Sequence, residues 1–346
     1  MLSTLPKWAI VGLTFPLVVL NGWLLYRLGA LLQPIPSIIA TASLIAFLLD
    51  YPIILLQKRR LSRGLATALV LLAALAAVSV LIIFLGPLVW QQLNDFAEGL
   101  PRLIEVGKTE LLRLNEQSFM QNAPLNFEQI TVEAANRLSS ALQSATSQVI
   151  GVTLSTLNST LNLLITLVLS ILLVLNGEQL WRGLLSWLPP TLQQEVRDSL
   201  QPSFQGYFSG QATLALILAT AQAIAFILLD VPYGLLFGIV IGLVSLIPFG
   251  GTVAILGISG LLGFQSITLG LKVLVVAVIL GQINDNVIAP RLIGGVTGLN
   301  PAVVIVVLLV GAKAAGFLGL LLAVPTASFI KKVTDALRSP VTTPSS

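Results

Sequence analysis

The chain contains no histidine and no cysteine. The first absence removes the commonest general base and metal ligand. The second removes thiol nucleophiles, disulfides and iron–sulfur ligation. Charge is scarce too: Asp, Glu, Lys and Arg make up 9% of 346 residues, where soluble domains run at roughly a quarter. No Gly-rich loop leads into Lys-Ser or Lys-Thr, so ATP is not expected as an energy source. An intramembrane protease is disfavoured, because the chain lacks a Gly-x-Gly-Asp sequence as well as histidine. What remains is apolar, with 56% hydrophobic residues and a mean hydropathy of +0.97. So little charge cannot cover a water-facing surface of this size, and the expected solvent is lipid. The expected fold class is all-α, a polytopic helical membrane protein.

Apolar runs near the ~20 residues that span a bilayer occur in order. Trp8 to Tyr26, Ile38 to Leu56 and Leu65 to Trp90 are the first three, giving an expected unit of three transmembrane helices over 1–90. Lys58, Arg59, Arg60 and Arg63 crowd the turn between the second and third runs. By the positive-inside rule this turn is cytoplasmic, and so is the amino terminus.

Residues 91–150 differ, holding seven of the 14 acidic residues: Asp95, Glu98, Glu105, Glu110, Glu116, Glu128 and Glu133. Leu93, Phe96, Leu100 and Leu103 recur at helical spacing and draw one apolar stripe. A second amphipathic helix is expected from Asn126-Phe127-Glu128 to Val149. This extramembrane insert reads as a packing arm, a subunit contact or a ligand-binding domain.

The third unit, 151–346, carries the features expected of a transport core. A fourth span, Val152 to Leu175, has Ser155, Ser159, Asn162, Thr166 and Ser170 near one face, for helix packing or for a polar path. Asn176 to Tyr207 reads as an interfacial segment, and Gln211 to Leu229 as the fifth span with Gln222 near its middle. Leu235 to Phe264 is broken at Pro248-Phe249-Gly250-Gly251, and Ala302 to Ile330 is broken around Lys313, Gly316 and Gly319. Between them lie the span Leu269 to Ile283 and a polar hinge, Asn284 to Asn300. Paired Gly/Pro-interrupted segments are the pattern of discontinuous or re-entrant helices in secondary transporters. Tolerated kinks in ordinary spans are the plainer alternative. Lys331, Lys332 and Arg338 argue for a cytoplasmic carboxyl terminus, so the crossings number about eight if both broken segments span fully and about six if both turn back.

Pro232-Tyr233-Gly234-Leu235-Leu236-Phe237-Gly238, continuing to Leu246-Ile247-Pro248-Phe249-Gly250-Gly251, resembles a stretch of the autoinducer-2 exporter family. So do Asn284-Asp285-Asn286-Val287-Ile288-Ala289-Pro290-Arg291-Leu292-Ile293-Gly294, Gly298-Leu299-Asn300-Pro301 and Gly316 to Pro325. Gly251 departs from the pattern, standing where many relatives have proline. The resemblance implies a bacterial plasma-membrane permease of about eight membrane segments, homo-oligomeric and plausibly pentameric. Some members are associated with autoinducer-2 export and others with sodium/proton antiport.

Candidate substrate-path residues are Pro248, Gly250, Gly251, Asn284, Asp285, Asn286, Pro290, Arg291, Asn300, Pro301, Lys313 and Gly316. Charges near apolar spans are functional candidates because they are costly there. Asp285 reads as a cation, proton or hydroxyl acceptor, or as one half of a loop-pinning pair with Arg291. Lys313 reads as a partner for half-helix carbonyls or as a snorkelling lysine. Proline removes a donor and glycine permits close approach, exposing main-chain groups that suit a small neutral solute. Expected partners are membrane lipid, a small polar solute or cation, and further copies of the chain. No cofactor, metal or nucleic acid is expected. A secondary permease, an antiporter on the same scaffold and a structural membrane protein all remain open.

Overall fold

The structure is a computed structural model that describes residues 31–115, 156–292 and 298–338, with isolated positions in 16–29 and at 133 and 140. The first apolar run and the second insert helix fall largely outside these residues. The described residues hold helices joined by short turns, with no strand among them: α1 (Ile35–Gln57), α2 (Arg63–Asn115), α3 (Thr156–Leu185), α4 (Pro190–Gln201), a π-turn (Pro202–Gly206), α5 (Tyr207–Leu228), α6 (Gly234–Val244), α7 (Gly250–Gln265), α8 (Ile267–Ile283), a second π-turn (Asn284–Ile288), α9 (Ala289–Leu292) and α10 (Pro301–Arg338). Six helical stretches among them are long and apolar enough to cross a membrane. Leu81, Ile82, Ile83 and Phe84 of α2 and many similar side chains lie exposed, as lipid-facing residues must be.

α1 and α3 pack together around Ile53, Ala66, Val70 and Val174. Arg63, at the start of α2, ties this bundle at one end. Its guanidinium donates to Glu178 Oε2 and to the Val174 carbonyl, both at 3.2 Å, and Arg197 of α4 lies 3.6 Å from the same Glu178. Of the polar stripe of α3, Ser155 and the Ser159 side chain lie outside the described residues. Thr166 and Ser170 bond back to the carbonyls of Asn162 and Thr166, and Ser170 is buried. Both hydroxyls are thus engaged within their own helix, where the i−4 carbonyl is the near acceptor.

α2 departs from the expected outline. The helix does not stop at Trp90 but continues through Pro87 and Pro101 to Asn115. At 1.5 Å per residue, 53 residues run about 80 Å, more than twice the ~30 Å hydrocarbon core. Its whole length cannot lie across the hydrocarbon core, so part of it forms an arm, and the boundary expected at residue 90 falls inside one helix. Of the expected stripe, Phe96 and Leu100 are buried with Leu93 packed beside them, and the Leu103 side chain lies outside the described residues.

Candidate functional site

α5 is the ruler against which the rest of the core can be placed. Along it, Phe226 touches Gly234, Ala223 touches Gly238, and Ala219 and Ala215 touch Gly242. A Cβ on Gly238 or Gly242 would overlap α5 backbone, so α6 runs antiparallel to α5 at the closest spacing glycine permits. Lys272, near the start of α8, donates to the Leu229 carbonyl at 2.9 Å, and Gln222 donates to the Ala277 carbonyl at 3.0 Å. α8 is thus also antiparallel to α5, starting where α5 ends. α7 meets α8 at Gly263 and Gly270, across the short Gln265-Ser266 turn.

These contacts place both ends of α6–α7 at the carboxyl end of α5. The broken segment goes in and comes back: it is a re-entrant hairpin, hairpin 1. With 11 residues, α6 is about 16 Å long, half the hydrocarbon thickness. Its apex is the turn Ser245 to Phe249. Gln211, one turn into α5, donates to the Ser245 carbonyl at 2.6 Å, and Phe249 adopts a left-handed φ of 64°.

α10 is a hairpin as well. Its backbone leaves helical geometry at Ala315 and Gly316, the latter at φ 58° and ψ −132°. Gly311 and Gly319 then stand backbone to backbone, and a Cβ on either would overlap the other's carbonyl. At the far ends Lys331 donates to the Gly298 carbonyl at 2.5 Å. The limbs 301–314 and 317–338 therefore lie side by side as hairpin 2. Its open end meets the opposite end of α5, because Phe329 contacts Phe204 just ahead of Tyr207, with ring centroids 6.4 Å apart. The two hairpins enter from opposite ends of α5. Both broken segments thus turn back rather than continue across; the first apolar run, which also enters the crossing count, lies largely outside the described residues.

The start of α5 is where the hairpins come together. Tyr207, Phe208, Leu308 and Val324 form one buried cluster, and Ile247 of the hairpin 1 apex packs against it. The second π-turn and α9 also lean on α5. Asn284 lies on the buried stripe of Val273 and Ala277, and is only 4% exposed. Its Nδ2 donates to Asp285 Oδ1 at 3.2 Å, which leaves its own Oδ1 buried without a partner. Asn286 donates to Gln282 Oε1 at 2.6 Å. A π-turn inserts an extra residue per turn and frequently marks a functional position.

The candidate residues fall into four places. Pro248, Gly250 and Gly251 form the hairpin 1 apex; Asn284, Asp285, Asn286, Pro290 and Arg291 occupy the π-turn and α9; Lys313 and Gly316 form the exposed hairpin 2 apex. Asn300 and Pro301 stand apart at the foot of hairpin 2, about 20 Å from its tip by helix rise. There Asn300 Oδ1 caps the Ala302 amide at 2.9 Å and Pro301 takes the first helical position, which is helix-start chemistry. The expected Asp285–Arg291 pair does not form: no ion pair joins them among the described residues, and six residues apart on a helical path they point to different sides. Gln211 and Tyr207 are not among the sequence candidates, though a glutamine at the mouth of an apolar span is the available signal. The Tyr207 hydroxyl, like that of Ser203 four residues earlier, is buried without a partner.

Interrupted helices inserted from opposite ends of one crossing helix define a multi-pass membrane protein of transporter architecture. The chain belongs to the AI-2E family of transporters, whose family model, described as AI-2E family transporter, matches residues 13–339. It is 37% identical over 326 residues to "Putative transport protein sll0060" of Synechocystis, covering 94% of this chain and 95% of that protein. It is 36% identical over 342 residues to "Putative transport protein sll0063" of the same organism, covering 98% and 87%. More distantly, it is 22% identical over 323 residues to "Sodium-lithium/proton antiporter" of Halobacillus andaensis, covering 88% and 91%.

Proposed function

We propose that the chain is a secondary permease that moves a small polar solute between the apices of its two hairpins. One observation carries this reading: two helices that fail to span, entering from opposite ends of α5 and packed together at its start. Main-chain groups freed at such breaks are tolerated at membrane depth only where protein or a water-filled path receives them. The Arg63 bundle of residues 1–90 would act as scaffold and residues 151–346 as the transport core. The Lys58 to Arg63 turn supports a cytoplasmic face at that end, with both termini on it. Hairpin 2 then enters from the cytoplasm and hairpin 1 from outside. The family's association with autoinducer-2 makes that solute the first to test. Counterflow of labelled autoinducer-2 and other small polar solutes into proteoliposomes is the experiment. Saturable, protein-dependent exchange supports the permease, and none across the series refutes it.

One observation favours a second reading, sodium/proton antiport. In the second π-turn the Asn284 side-chain amide donates to the exposed Asp285 carboxylate, which leaves the Asn284 Oδ1 buried without a partner beside it. A distant relative bears the name of a sodium-lithium/proton antiporter. Sodium-dependent proton flux in the same proteoliposomes distinguishes the two.

A further inference from the structure

We propose that Gln92 is a positioning residue for hairpin 1, capping α6 from another helix and tying the extramembrane arm of α2 to the hairpin's mouth. The first amides of a helix lack intrahelical acceptors, and a side chain from the N-cap residue usually meets them. The N-cap of α6 is Tyr233, which makes no side-chain capping bond and sits at a left-handed φ of 58°. The Gly234 amide finds the Val231 carbonyl at 3.1 Å. The Leu236 amide is met from outside: Gln92 Oε1, on α2 and far away in sequence, accepts it at 2.9 Å.

The surroundings show that this is a built junction. The Tyr233 hydroxyl donates to the Asp95 carbonyl at 3.3 Å. Phe96 meets the rings of Tyr233 and Phe237 edge to face, at 5.4 and 5.5 Å. Gly99 allows the approach, since a Cβ there would come within 3.1 Å of the Tyr233 hydroxyl oxygen. Leu100 completes the contact at 2% exposure. Residues 92, 96, 99 and 100 share one face of α2 at helical spacing. An otherwise disfavoured tyrosine conformation is thus held by a helix outside the hairpin.

The junction depends on the permease reading only for its consequence in transport. The test reads the hairpin directly in the full chain. Gln92→Leu keeps volume and removes the acceptor, while Gln92→Glu retains an acceptor. Hydrogen exchange at the Leu236 amide is expected to quicken about threefold to tenfold in Gln92→Leu, the loss of one net hydrogen bond, and to return towards wild type in Gln92→Glu. On the cysteine-free background, maleimide labelling of Phe249→Cys at the hairpin 1 apex should change rate with Gln92→Leu, whereas Val310→Cys on hairpin 2 should not. Gln92→Asn, an amide too short to reach, serves if the leucine variant does not fold. Unchanged exchange at Leu236, failure of Gln92→Glu to restore it, or equal labelling changes at both hairpins overturns the proposal. If exchange and labelling respond as stated while counterflow is absent from the wild type, the permease reading fails and the cap stands.

Discussion

Gly311 and Gly319 face each other across the limbs of hairpin 2 so closely that neither position has room for a Cβ. Eight residues apart on a straight helix, they would sit about 12 Å apart along the axis. Their contact defines the hairpin, and it is held by backbone packing of the kind that small residues give in membranes.

Gly319→Val tests that contact. A branched side chain must push the limbs apart, at a cost of about 1–3 kcal/mol for overpacking a close-fitted site. The thermal midpoint of the purified protein should fall and transport should drop, whereas Gly257→Val, at a glycine with open space around it, should leave both nearly unchanged.

Lys313 sits at the exposed tip of hairpin 2 beside Gly316. Among the described residues it makes no ion pair. A charge carried to the tip of a re-entrant segment serves the path or reaches back to the far interface. Lys313→Gln should lower the transport rate about tenfold, equivalent to roughly 1.4 kcal/mol, with the thermal midpoint unchanged. An unaltered rate would assign the lysine to the interface.

Asp285 is exposed and bonded to Asn284, with Arg291 turned elsewhere. Arg291→Gln should therefore leave stability within about 0.5 kcal/mol, the usual range of surface changes. If an uncharged solute is carried, Asp285→Asn should weaken counterflow without abolishing it. Sodium-dependent proton flux in the wild type that vanishes in Asp285→Asn, with folding retained, would establish the antiporter instead.

The crossing helices were legible because length and hydropathy alone specify them: α1, α5 and α8 fall within a few residues of the runs read from sequence. Positions of two breaks were legible for a similar local reason, since Pro248 with Gly250, and Gly316, stand where the backbone leaves helical geometry. Whether a broken run returns was not legible. That depends on Gly238 against Ala223 and Gly311 against Gly319, contacts that any alternation of apolar and small residues could satisfy in more than one topology. Continuation of α2 through Pro101 was hidden as well. Proline usually ends a helix, and here the packing of Phe96 and Leu100 on hairpin 1 supports the helix just before that point. Of the two readings open for Asp285, the pair with Arg291 does not form, because the helical path through the π-turn separates the side chains.

The most direct measurement of the opposed hairpins is sided thiol labelling of two exposed positions, Asp230→Cys at the carboxyl end of α5 and Asn300→Cys at the foot of hairpin 2. The chain has no native cysteine, so an impermeant maleimide reports each site alone. Two re-entrant hairpins place these residues on opposite sides of the membrane, with Asp230→Cys labelled from outside and Asn300→Cys from the cytoplasm. Two full crossings would place both on the same side, and labelling of both from outside the cell would contradict the account.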